Sequence, residues 1–151
     1  MNGLYLEDIE VGARYLSDAY VVTEDSIIAF AQQFDPQLFH LDPVAAEASV
    51  FQGLSASGWH TTAIAMRLFV TGPLRFAGGA VGLGVDELRW PAAVRPGDTI
   101  QLETEILETR LSRSKSGYGI VRIRNLARNQ RGEVVLSYAA NALVQSRKPL
   151  A

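Results

Sequence analysis

Hydrophobic residues in the first half of this chain recur at helical spacing, and in the second half they recur at every other position. In "TEDSIIAFAQQF", Ile27, Ile28, Ala31 and Phe34 fall on one face. Thr23 supplies an N-cap, and Glu24 and Asp25 occupy the first turn, where the helix dipole favours anions. The helix has to stop at Asp35, because Pro36 disfavours the α region for the residue before it. "DPVAAEAS" repeats the start signal, with Asp42 as N-cap and Pro43 at the first helical position, and predicts a short second helix. "SGWHTTAIAMRLFVTGP" is apolar nearly all round apart from His60, Thr61, Thr62 and Arg67, the pattern of a helix buried on most sides. Ser55 or Ser57 can cap it, and Gly72 followed by Pro73 ends it.

The period then changes to two. "AVGLGVDELRW" alternates through Val81, Leu83 and Val85, and "TIQLETEILETRL" sets Ile100, Leu102, Thr104 and Ile106 opposite Gln101, Glu103 and Glu105. "YGIVRIRNLAR" and "EVVLSYAANALVQ" follow, separated by the hairpin signal "NQRG". Strands that follow one long apolar helix predict an α+β fold in which an antiparallel sheet, wet on one face, wraps that helix. The outer strands would be unpaired edges, and pairing with a second copy is a usual remedy, so a homo-oligomer is expected.

Composition narrows the function classes. A chain of 151 residues, 48% hydrophobic and 20% charged, suits a single domain over 1–151. A net charge of -2 gives no global reason to expect nucleic acid. The absence of cysteine removes disulfides, thiolate metal sites and thiol nucleophiles together. No apolar run approaches the ~20 residues that span a bilayer. The start "MNGLYLEDIEVGARYL" carries acids where a signal peptide carries basic residues. A cytoplasmic domain with no membrane partner is the expectation.

Both histidines lie in "FAQQFDPQLFHLDPVAAEASVFQGLSASGWH". Asp35 and His40 are five residues apart across a proline bend, which lets both side chains turn into one cavity, as a continuous helix at that spacing would not. A carboxylate beside an imidazole can fix its tautomer or share a water with it, as an acid/base pair requires. Spacing alone favours a helix-end carboxylate and a satisfied surface histidine over that pair. Gly58, entering the long helix, can let a ligand approach backbone amides that would stabilise a carbonyl oxygen gaining negative charge. The same glycine also suits a tightly packed helix start. His40, Asp42 and His60 have no recognised metal-ligand spacing, and no metal is expected. "GGAVGLG" lacks the order of a dinucleotide loop, and Ser57 lacks the elbow of a hydrolase nucleophile.

Taken together, "FDPQLFHLDPVAA", "SASGWH" heading the long helix and "LRWPAAVRPGDTI" entering the long strand resemble the MaoC-like dehydratases of the hotdog fold, the group that includes (R)-specific enoyl-CoA hydratases. The resemblance runs from about Tyr5 to Val144. It implies a sheet wrapped around the long helix, a homodimer with a continuous sheet, and an acyl-CoA tunnel near the interface. It implies Asp35 and His40 as the catalytic pair, and Gly58, Ser57 and Trp59 as substrate-binding residues, with the Gly58 amide on the thioester carbonyl. The expected reaction is reversible addition of water to a 2-enoyl-CoA thioester. No metal or redox cofactor takes part, and coenzyme A enters only as part of the substrate.

Family hydratases commonly read D-x-N-P-x-H, whereas here Pro36, Gln37 and Leu38 follow the acid, and Gln37 can replace the asparagine's amide hydrogen bond. The rival readings are a hotdog acyl-CoA thioesterase and a non-catalytic acyl-CoA-binding subunit. From Arg110 to Arg131 there are seven basic residues and no acidic one. That run suits a solvated strand face, and it also offers cations to the phosphates of coenzyme A. Trp59, Met66 and Phe69 are candidates for the far end of the tunnel, although such residues are more often plain core residues.

Overall fold

The computed structural model describes residues 3–149. After a 3-10 turn at Leu6–Asp8 come two short strands, β1 (Arg14–Leu16) and β2 (Tyr20–Val21). Helices α1 (Glu24–Phe34), α2 (Leu38–Leu41), α3 (Pro43–Ala46) and α4 (Gly58–Thr71) follow, and then the long strands β3 (Val81–Arg89), β4 (Thr99–Leu111), β5 (Tyr118–Arg128) and β6 (Val134–Gln145). The strands form an antiparallel sheet in the order β1-β4-β5-β6-β3, with β2 also paired to β4.

Local signals act as chemistry dictates. Thr23 accepts from Ser26 N at 3.2 Å and caps α1, whose last residues give way to Pro36. Asp42 accepts from Val44 N and Ala45 N and caps α3 with Pro43 in its first turn. The β5–β6 hairpin closes at Asn129–Gly132, where the glycine takes φ +78° and donates its N–H to the Asn129 carbonyl.

On β4, Ile100, Leu102, Thr104 and Ile106 are buried, as their alternation requires. They pack with Ile64, Ala65, Leu68 and Phe69 of α4 and with Val121, Ile123, Val135 and Leu136 of the neighbouring strands in one core. The sheet therefore wraps α4, and the architecture is the α+β one expected.

Three expectations change. Phe34 is 64% exposed, because α1 ends before its last turn can lie on the core, and its ring rests instead on Phe30. α4 is not enclosed all round, since Trp59, Met66 and Val70 form an exposed apolar stripe. Val81, Leu83 and Val85 are each more than half exposed, because β3 is an edge strand bonded only to β6. Among the described residues no helix is long and apolar enough to cross a membrane.

One side chain ties the loop before α4 to the strand entry. The Arg95 guanidinium donates to the carbonyls of Phe51, Gly53 and Leu54, while its backbone N–H bonds Asp98 at 2.8 Å. Charged hydrogen bonds of this kind contribute about 1.5–3 kcal/mol. Arg95→Ala is expected to lower the melting temperature by about 3–12 °C, at about 2–4 °C per kcal/mol for a chain of this size. Differential scanning calorimetry of the two proteins measures the difference, and Arg95→Lys recovers only part of it because an ammonium lacks the planar fork.

Candidate active site

The sequence around Asp35 produces two short, differently directed segments where one helix would have kept the side chains apart. Asp35 is the C-cap of α1 at φ -152°, ψ 66°, with its N–H bonded to the Ala31 carbonyl. Past Pro36 the chain turns into α2, and the His40 N–H returns to the Gln37 carbonyl at 2.9 Å. The bend brings Asp35 Oδ2 to 3.4 Å from His40 Nε2. Gln37 donates its amide to Asp35 Oδ1 at 2.6 Å, the bond its position predicted.

His40 is buried, at 5% exposure, and its second ring nitrogen lies 2.6 Å from the Ser55 carbonyl. A carbonyl oxygen only accepts, so Nδ1 carries the proton, and in the neutral ring the Nε2 lone pair is the side turned toward Asp35. Phe39 meets the imidazole edge-on, and the ring centroid of Phe51 lies 5.9 Å away. Partial burial opposes the charge of Asp35, but the Gln37 amide hydrogen bond and attraction from the imidazolium form of His40 outweigh that and hold the carboxyl below its ordinary value.

A cavity of about 240 Å³ opens beside this pair, lined by His40, Phe51, Gly58, Thr61, Trp90 and Val94 with small neighbours including Ala56. Asp35 does not line it and joins it through the contact with His40. A larger cleft, about 530 Å³, lies around the C-terminal end of α4 beside Leu4, Leu16 and Asp18. Its guanidinium, Arg75, is bonded to the Gly72 and Thr71 carbonyls, and it holds no acid/base pair, so the smaller cavity is where chemistry is possible.

Gly58 is the first residue of α4 and lines the cavity. Ser57 occupies the N-cap position without making a side-chain cap bond, which leaves the first-turn amides open as donors. The requirement for glycine has a different source from ligand approach. A Cβ at position 58 would stand 2.6 Å from the Trp90 ring, so the bare backbone admits the indole. Trp90 is held there by its own N–H, which donates to Thr62 Oγ1 at 3.1 Å, while Thr62 donates to the Gly58 carbonyl.

Other sequence candidates fall elsewhere. Trp59 points outward, 58% exposed and edge-on to Trp90, because one residue along a helix turns the side chain about 100° from Gly58. The aromatic residues at the cavity besides His40 are Phe51 and Trp90, and no local signal in the sequence singled out either. Met66 is exposed and Phe69 is a core residue, so neither lines the cavity. His60 stacks on Phe30 at 4.8 Å, and burial lowers its pKa. Among the described residues no group of three or more histidines and carboxylates is placed to hold a metal ion. None of the seven basic residues from Arg110 to Arg131 lines the cavity; Arg122, Arg124, Arg128 and Arg131 pair instead with Asp86, Glu105, Glu103 and Glu133.

Comparison with known proteins agrees with this architecture. The chain matches the MaoC-like domain family over residues 9–127. A crystal structure of a MaoC-like dehydratase from Rhodospirillum rubrum is 48% identical, with a TM-score of 0.91 covering 96% of this chain and 99% of that one. The unliganded R-hydratase PhaJ1 from Pseudomonas aeruginosa is 26% identical, with a TM-score of 0.76 over 97% of this chain and 88% of its own. The mesaconyl-CoA hydratase of Cereibacter sphaeroides is 38% identical over 65 residues, which are 43% of this chain and only 19% of that enzyme. With the hotdog architecture, a match over most of its length and hydratase relatives, this chain belongs to the MaoC-like dehydratase family and is a hydro-lyase.

Proposed function

We propose that the protein catalyses reversible addition of water to a 2-enoyl thioester of coenzyme A, with Asp35 and His40 as the catalytic pair, and that it works as a cytoplasmic homodimer. The observation that carries the reading is the 3.4 Å approach of Asp35 Oδ2 to His40 Nε2 beside a cavity that also meets Gly58. One hydratase relative, whose name specifies a mesaconyl-CoA substrate, supports the substrate class.

The chemistry follows from what each group can donate or accept. Water sits between Nε2 and Oδ2, and the pair takes one of its protons as the oxygen bonds to C3 of the substrate. The C2–C3 π electrons move toward the thioester carbonyl, whose oxygen gains negative charge and receives the Gly58 N–H at the positive end of the α4 dipole. As the enolate collapses, the pair returns the proton to C2, which balances the addition and regenerates the site. Because Nδ1 is committed to the Ser55 carbonyl, the imidazole exchanges its proton only through Nε2.

The second copy follows from two exposed apolar surfaces. β3 presents Val81, Leu83 and Val85 along an unpaired edge, and α4 presents Trp59, Met66 and Val70. An open edge strand with apolar side chains is a template for pairing, and a copy of the same strand would satisfy its backbone groups and extend the sheet.

Asp35→Asn and His40→Ala should each slow hydration of crotonyl-CoA at least ~10²-fold, read from the loss of enoyl absorbance. Equal rates in the three proteins would remove the pair from the mechanism, and release of free thiol without enoyl loss would make the protein a thioesterase instead. Leu83→Asp should convert a dimer to a monomer in light scattering; a dimer that survives this change does not use the β3 edge.

A further inference from the structure

The cavity beside His40 has a rim and an inner end of different character. Ala56, Val94 and Val135 are buried and close the inner end, whereas Phe51 and Trp90 reach solvent at the rim. A chain that enters past those two rings runs toward the packed core and stops there. Apart from the rings of His40, Phe51 and Trp90 the lining side chains are small, and the indole is the bulkiest group that shapes the space.

Trp90 is fixed on three sides, each time by the first turns of α4. A Cβ at position 58 would meet its Cδ2, Cε2 and Cε3 atoms at 2.6, 2.6 and 3.0 Å. Those atoms surround the fusion of the two rings, so the indole lies on the glycine by its face. Its N–H donates to Thr62 Oγ1 at 3.1 Å, and Trp59 meets it edge-on with ring centroids 5.1 Å apart. Thr62 is itself held by its bond to the Gly58 carbonyl at 2.9 Å. An indole with its one polar group satisfied and its face against backbone is a rigid wall.

The position of that wall bears on what fits. In the reaction proposed above the Gly58 N–H receives the thioester oxygen, and the indole rests on the same residue. The point from which an acyl chain is measured and the group that confines it therefore belong to one helix turn. Volume supplies the length. An apolar cavity of about 150 Å³ takes a six-carbon ring, so the space of about 240 Å³ here takes roughly ten non-hydrogen atoms. The reacting water, the thioester sulfur and oxygen and about six chain carbons fill it.

We infer that Trp90 is the specificity-determining residue of the acyl site and restricts the protein to thioesters whose acyl chain has about four to six carbons, with Thr62 as the positioning residue that holds the indole. The assignment rests on the reading above, in which the thioester lies between His40 and the Gly58 amide.

The test uses the full chain with crotonyl-, 2-hexenoyl- and 2-decenoyl-CoA. Wild type should hydrate the two shorter esters with kcat/KM at least ~10²-fold above that for 2-decenoyl-CoA, since each methylene that a pocket cannot hold costs roughly 10-fold or more. Trp90→Leu removes the wall and should raise the ratio of kcat/KM for 2-decenoyl-CoA over crotonyl-CoA at least ~10-fold. Thr62→Val keeps the shape of the side chain but takes away the indole's acceptor, and should move the ratio the same way by a smaller factor, while Thr62→Ser should leave it unchanged. A ratio that Trp90→Leu does not move overturns the assignment, and one that only Thr62→Val leaves unmoved overturns the part given to Thr62. Where Trp90→Leu does not fold, Thr62→Val decides.

Binding is read separately from turnover. The chain has two tryptophans, so Trp59→Phe leaves Trp90 as the sole indole fluorophore. Butanoyl-, hexanoyl- and decanoyl-CoA are saturated and cannot be hydrated, and each is titrated against this variant. Trp90 emission should change saturably with the two shorter esters, at a Kd at least ~10-fold below that for decanoyl-CoA. That pattern in a protein that hydrates no enoyl ester keeps the Trp90 assignment and removes the hydratase reading. Emission that no ester changes, or decanoyl-CoA bound as tightly as butanoyl-CoA, overturns the inference.

Discussion

The hydrogen bond from His40 Nδ1 to the Ser55 carbonyl joins two parts of the chain that make little sense separately. One is the loop that breaks away from α1 at Pro36, and the other is the extended entry to α4. With the bond at 2.6 Å and the ring buried, the imidazole has one orientation and one free nitrogen. Every other feature of the site is arranged with respect to that nitrogen: the Asp35 carboxylate at 3.4 Å, the cavity, and the first amide of the helix whose approach Ser55 belongs to. The Arg95 guanidinium, which collects the carbonyls just before Ser55, extends the same constraint to the entry of β4.

Placing a carboxylate at the end of a helix works against the helix dipole, and burying it works against solvation. Gln37, from the following loop, works against both with an amide hydrogen bond to the carboxylate at 2.6 Å. The result is an anion held by partners within five residues of it, Gln37 and His40.

The glycine at the head of α4 illustrates how one sequence signal can serve two demands. Its lack of a side chain matters because Trp90 crosses the helix start there, and the indole in turn is fixed through Thr62 to the Gly58 carbonyl. The cavity wall and the open amide thus come from the same contact. Beyond the site, the exposed apolar residues of β3 and α4 mark surface that a lone chain leaves in water at a cost, in keeping with the edge-strand problem that an open sheet always carries.

The sequence by itself determined the elements whose causes are local. The cap at Thr23, the stop before Pro36, the cap at Asp42, the hairpin at Asn129–Gly132 and the buried alternation of β4 follow from propensities acting within a few residues, and the structure has each of them. The proximity of Asp35 and His40 was legible for the same reason, since a proline bend limits where the next turn can point. Tertiary structure decided what depends on residues far apart in the chain. Val81, Leu83 and Val85 alternate like core residues but lie at an edge, because burial depends on which strand is placed alongside. Trp59 and Trp90 are both plausible cavity residues by type, and only the angle of α4 against the end of β3 puts one inside and the other out.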